Sequence, residues 1–185
     1  MIQLLLEKKY AYTDNDGSIY FNIQSYPDYG QLTNLDLNAQ RTTNRIASDE
    51  YTKDDPQDFA LWKGWKEEDG DVAWDAPWGK GRPGWHIECS AMSNQYLGDH
   101  FDIHCGGVDN IFPHHENEIA QSKGAYPNEP FVKYWLHNGM LNLSGKKMSK
   151  SEGNIKLLND YIDEFEGQVV RFFFLKSQYR SPQEF

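Results

Sequence analysis

Phe101-Asp102-Ile103-His104-Cys105-Gly106-Gly107-Val108-Asp109, with Pro113 shortly after it, is the stretch whose reading decides the fold. It reads as a short strand, a paired-glycine turn and a helix opened by proline. That order is one unit of an α/β nucleotide-binding sheet, whose ligands sit at the carboxyl ends of its strands. Gly106 and Gly107 let the backbone approach a ligand closely, while His104 and Asp109 offer a donor and an anion at the strand end. The same residues also fit an ordinary strand-to-helix turn.

Downstream, Phe131 to Leu136 is a second short apolar run, expected to lie beside the first strand and parallel to it. A loop carrying Lys146, Lys147 and Lys150 follows. Leu157 to Lys176 mixes apolar and acidic residues at helical spacing and ends on Phe172-Phe173-Phe174-Leu175, which should pack against the preceding sheet. Upstream, the Gly/Pro-punctuated loop from Ala76 to Gly84 leads into Trp85 to Met92, which has helical spacing. The first stretch reads as a helix from Ile2 to Lys9, then strand fragments Ala11–Tyr12 and Ser18–Ile23 around the turn Asn15-Asp16-Gly17. A charged segment follows from Arg41 to Asp58. These shifts divide the chain into an α+β lobe over 1–75, an α/β region over 76–156 and a helical region over 157–185.

The chain has 185 residues with 28 acidic and 18 basic side chains, a formal charge of −10. That balance argues against nucleic-acid binding by bulk electrostatics, which needs a basic face, but leaves room for a local contact. No apolar run is long enough for a transmembrane helix, and the apolar stretch near the start is too short for a secretory signal. No membrane partner is expected, and a cytoplasmic location is the default. Two cysteines, Cys89 and Cys105, are too few for a disulfide scaffold and read as chemistry or packing.

Two further groups carry chemistry. His114 and Glu118 are four residues apart in a predicted helix, so both point from one face, and Cys89 could add a soft thiolate from another element. Sulfur, nitrogen and oxygen together suit zinc, although three ligands leave a tetrahedral ion one short. The alternative is a buried Cys89 beside a solvated helical pair. In Lys147-Met148-Ser149-Lys150-Ser151, two lysines three apart on a Gly/Ser-rich loop can close over a triphosphate. A solvated basic loop fits any lysine pair; this five-residue string is much rarer.

That string resembles the second signature of the class I aminoacyl-tRNA synthetases. Gly81-Arg82-Pro83-Gly84-Trp85-His86-Ile87-Glu88-Cys89-Ser90-Ala91-Met92, Phe112-Pro113-His114-His115-Glu116-Asn117-Glu118 and Tyr134-Trp135-Leu136-His137-Asn138-Gly139 narrow the resemblance to the cysteinyl-tRNA synthetases. The likeness also takes in Asp28-Tyr29-Gly30, Asp58 to Lys63 and Tyr179-Arg180-Ser181, and so runs over nearly the whole chain.

The resemblance implies the second half of a Rossmann-like parallel sheet preceded by an insertion lobe, and a ligase that joins cysteine to its tRNA through an adenylate. It implies one zinc ion held by Cys89, His114, Glu118 and a further cysteine from a region not present here. It places Trp85 and His104 around the substrate side chain, and Asp109 on the substrate ammonium or the nucleotide ribose. Gly106, Gly107 and Lys150 then face ATP, and Lys147 and Lys150 assist attack on the α-phosphate with magnesium sharing the charge. The expected partners are ATP, L-cysteine and tRNA(Cys). The first signature loop and the anticodon-binding region are also missing, so this stretch is read as an interior piece, inactive by itself, with weak zinc binding. Cys105 departs from the family, which has glycine or another small residue there; a positive φ at that position would strain it. Two other readings stay open: the related cysteine ligase of mycothiol synthesis, and a non-catalytic metal-binding fragment.

Overall fold

The computed structural model describes residues 1–34, 58–127, 130–143, 145–148, 153, 155 and 157–184. The described chain separates into two compact units, one of Met1–Asp102 with Phe112–Lys133, the other of Ile103–Ile111 with Tyr134–Phe185. The charged segment read from Arg41 lies outside the described residues except for Asp58.

The first unit is built on a four-stranded antiparallel sheet in the order β1 (Ala11–Thr13), β2 (Ile19–Phe21), β3 (Phe59–Gly64) and β4 (Gly81–Pro83). The β1–β2 hairpin closes over the expected turn: Gly17 sits at φ 81°, where glycine has no Cβ penalty, and Asp14 N–H donates to Ser18 O at 2.8 Å. Ile19, Tyr20 and Phe21 are all buried. Phe21 stacks on Phe59 across the β2–β3 pair at 5.0 Å, a cross-strand aromatic contact of the kind that pins sheet register. Asp58 is buried, and its carboxylate accepts from Tyr12 Oη and from the Ile23 amide, both at 2.9 Å. A buried carboxylate held by two donors fixes where β3 enters the sheet.

Three helices cover this sheet's core: α1 (Ile2–Glu7), α2 (Trp85–Leu97) and α3 (Glu116–Ala125). Helix α1 is shorter than the Ile2 to Lys9 expectation because the chain turns at Lys8 and Lys9 takes a left-handed φ of 64°. Helix α2 begins where Gly84 lies against β3: a Cβ there would come within 2.1 Å of the Ala60 carbonyl oxygen, so only glycine permits the approach. Leu5, Phe59, Leu61, Ile87 and Ala120 share one core. The compact unit therefore does not end near residue 75; β3 pairs with β4 across that point, and α1 packs on α3.

The strand-glycine-helix reading needs correction in detail. Strand β5 runs from Phe101 through Gly107, so the glycine pair ends the strand instead of forming a turn. The helix does not open at Pro113. Ile111–His115 is an irregular turn interrupted by extended Phe112 and a cis Phe112–Pro113 peptide, and regular α3 starts only at Glu116.

Strand β6 (Val132–Asn138) is hydrogen-bonded to β5. Phe101 N–H donates to Phe131 O, Asp102 lies near Lys133, and His104 packs on Trp135. Partners that rise in number together mark a parallel pair, as expected.

In the second unit, β7 (Leu141–Leu143) pairs antiparallel with β8 (Lys146–Lys147) and parallel with β9 (Gln183–Glu184). Leu157 to Lys176 forms two helices, α4 (Leu158–Glu164) and α5 (Gly167–Leu175), broken at Phe165-Glu166. Phe172, Phe174 and Leu175 are all exposed, Phe174 at the edge of a cavity of 220 Å³ that Asn138, Leu141 and Tyr179 also line, and the buried residue of α5 is Val170. The expected burial of this aromatic run is therefore not seen: Phe172, Phe174 and Leu175 face solvent. Among the described residues, no helix is long and apolar enough to cross a membrane.

Candidate metal centre

Cys89, His114 and Glu118 come from two packed helices and the turn before the second. Ile87 and Ser90, flanking Cys89 on α2, are buried, and Ser90 Oγ donates to Gln121 Oε1 on α3 at 2.6 Å. That bond sets the spacing of α2 and α3, and with it the distance from the thiol to the groups on the other side. Although His114 precedes the regular helix, its Nε2 lies 3.0 Å from Glu118 Oε1, so the four-residue spacing does bring the pair together. One ligand atom from each of Cys89, His114 and Glu118 falls within 4.8 Å of the others. Glu118 is fully buried and His114 nearly so; Cys89 is half-buried.

Burying a carboxylate and a thiol together is costly unless a cation joins them. Burial pulls the His114 pKa down, yet hydrogen bonds to Cys89 and Glu118, with the charge of both, outweigh that and lift it from 6.5 to about 9. A positive charge is stabilised where the three side chains meet. Imidazole, thiolate and carboxylate are also the donors zinc accepts, so the cluster fits such an ion.

Around this centre lie Trp85, which the resemblance implies, and His86, Glu116 and Asn117, to which the residue pattern alone assigns no role. Trp85 stacks on His114 with ring centroids 4.4 Å apart, and His86 Nδ1 is 2.8 Å from His114 Nδ1. Glu116 and Asn117, between the two helical ligands in sequence, point elsewhere. The Glu116 carboxylate accepts from Gly30 N–H at 2.9 Å and from the Thr33 amide and hydroxyl at 3.2 and 3.1 Å, and Asn117 Oδ1 accepts from Tyr29 Oη at 2.5 Å. Burial, with the charges of Glu116 and Asp58, pushes the Tyr29 phenol far above its ordinary range and keeps it a donor. Alternation along His114-His115-Glu116-Asn117-Glu118 thus separates ligands from loop anchors, a division that charge and spacing do not announce.

The second unit carries the remaining site residues. His104 meets Trp135 edge-on at 4.9 Å, and Trp135 lies parallel to His137 at 6.1 Å. Burial, with the charge of His104, holds His137 below its ordinary range. Asp109 is exposed in the short turn Val108–Asn110, and its Oδ1 would be 2.5 Å from a Cβ on Gly107, so glycine there admits the carboxylate beside the backbone. Gly106 precedes it in β5. Cys105 is exposed in the extended strand; among described residues other than glycine only Lys9 and Asn34 have positive φ, so the anticipated strain does not arise. Lys147 ends β8 opposite Asn142, and Lys150 lies outside the described residues.

The sequence profile of the class I (C) tRNA synthetase catalytic domain matches residues 1–185. A cysteine–tRNA ligase of Chlamydia pneumoniae is 54% identical over 186 residues, a match covering 100% of this chain and 39% of that protein. Cysteine–tRNA ligases of Brachyspira hyodysenteriae and Geobacillus thermodenitrificans are 53% and 55% identical, with 39% and 38% of their lengths covered. The chain therefore spans about 39% of the length of these curated relatives. A solved structure assigned to the arginyl-tRNA synthetases, from Campylobacter jejuni, superposes with a TM-score of 0.54 at 16% identity, over 100% of this chain and 32% of that one. That likeness concerns the fold.

Proposed function

The chain belongs to the class I (C) tRNA synthetase catalytic-domain family, and from that premise we propose that it supplies the amino-acid pocket and second signature loop of a cysteine–tRNA ligase. Cysteine and ATP would give cysteinyl-adenylate and pyrophosphate, and the cysteinyl group would pass to tRNA(Cys) in the cytoplasm. The convergence of Cys89, His114 and Glu118 within 4.8 Å carries the reading.

The chemical task is to tell cysteine from serine, which has nearly the same shape. A steric pocket alone separates such pairs by only ~1–3 kcal/mol. Cys89, His114 and Glu118 would hold a zinc ion, and that ion would supply a Lewis acid that favours a thiolate over a harder, less acidic hydroxyl. Trp85 would cover the substrate side chain; its stacking on His114 and its own exposure support that role. His104 is assigned to the same side chain, and Asp109 to the substrate ammonium or the ribose. Gly106 and Gly107 leave room for the nucleotide backbone. Lys147 and Lys150 stabilise negative charge on the phosphates, shared with magnesium, as pyrophosphate leaves. In this reading each residue binds or orients one group of the substrates.

Cysteine-dependent exchange of pyrophosphate into ATP tests the reading in the protein that carries this chain. Exchange is expected with cysteine and a divalent cation, and not with serine at equal concentration. Exchange that is equally fast with both amino acids would defeat it.

A further inference from the structure

We propose that His86 is a positioning residue for the metal centre: its Nδ1 accepts a hydrogen bond from His114 Nδ1–H and so directs His114 Nε2 to the metal. This rests on the assignment of Cys89, His114 and Glu118 as the ligands. The two Nδ1 atoms lie 2.8 Å apart, a distance at which one nitrogen donates and the other accepts. The other nitrogen of His114, Nε2, lies 3.0 Å from the Glu118 carboxylate, on the side where the ligand atoms gather. A ligating imidazole keeps its metal-facing nitrogen bare and carries its proton on the other, and the partner of that proton fixes tautomer and ring orientation. His114 must then be the donor and His86 the acceptor.

Both rings are held in place. Trp85 stacks on His114 at 4.4 Å, and Phe59 from β3 meets His86 edge-on at 5.8 Å, with an interplanar angle of 90°. His86 and Cys89 are three residues apart on α2, neighbours on one helical face. The helix that delivers the thiolate therefore also delivers the acceptor that orients the imidazole. A change in its register would disturb both at once.

Cobalt(II) and zinc(II) affinities, measured by competition with a chelator, test this in His86→Leu and His86→Asn. Leucine removes the acceptor and should weaken binding about 10- to 100-fold, the usual cost of losing the outer partner of a ligating histidine. Asparagine can accept through Oδ1 and should retain most of the affinity. Unchanged affinity and an unchanged cobalt spectrum in His86→Leu, or equal loss in both variants, would overturn the proposal. Should His86→Leu fail to fold, ¹⁵N NMR of the zinc-loaded unsubstituted protein decides: the proton on His114 Nδ1 supports the assignment and a proton on Nε2 overturns it. Absence of metal binding in the unsubstituted protein would overturn the ligand assignment itself, and this inference with it.

Discussion

Replacing Lys150 with alanine is expected to slow cysteine-dependent ATP–pyrophosphate exchange about 10²- to 10³-fold, the scale of removing one group that stabilises transition-state charge, while the KM for cysteine changes little. The asymmetry follows from where the charge appears. Lysine is a compact point charge on a flexible stem, and Lys150 follows the β7–β8 hairpin in sequence. In the proposed role it would contribute little to holding cysteine in the ground state and would offset new negative charge as pyrophosphate departs. Steady-state exchange kinetics separate the two effects, because loss of a transition-state contact lowers kcat and kcat/KM together. A variant with normal kcat and a raised cysteine KM would place Lys150 in amino-acid binding instead.

His114→Ala should act on selectivity. With the centre intact, the ratio of kcat/KM for cysteine over serine is expected to reach about 10⁴ or more, as in sites that recognise a specific polar group; without it the ratio should fall to about 10 to 200, what shape alone provides. The variant also leaves the fully buried Glu118 without its imidazole partner, so some loss of stability will accompany the loss of selectivity. Chemical denaturation alongside the kinetics separates the two, since a merely destabilised enzyme loses activity toward both amino acids in proportion. An unaltered cysteine-to-serine ratio would remove His114 from the specificity machinery.

Much of this architecture is legible in the residues because local chemistry and tertiary structure agree. The Asn15-Asp16-Gly17 turn needs positive φ at glycine, and the hairpin forms there. Phe101 to His104 and Phe131 to Leu136 are short apolar runs, and they become hydrogen-bonded neighbours. His114 and Glu118 meet because a spacing of four survives even in an irregular turn. What was not legible depends on contacts distant in sequence. Proline suits a first helical position, yet Phe112 is extended and the regular helix starts only at Glu116. The apparent break near residue 75 in composition is bridged by β3 and β4, whose backbone pairing no side-chain pattern encodes. Glu116 and Asn117 carry no signal of their own in the sequence; both are buried, accepting from Tyr29, Gly30 and Thr33. Nothing in the motif distinguishes His86, whose ring nitrogen lies 2.8 Å from that of His114, 28 residues away.

The central claim is that Cys89, His114 and Glu118 hold one metal ion, and metal analysis tests it most directly. The full-length protein that carries this chain, with its fourth ligand, is expected to hold zinc in proportion to chain, and Cys89→Ala combined with His114→Ala in that protein to hold none above background while circular dichroism confirms that it remains folded; this chain by itself is expected to hold zinc only weakly. Stoichiometric zinc retained by the folded double variant would contradict the account and place the ion elsewhere.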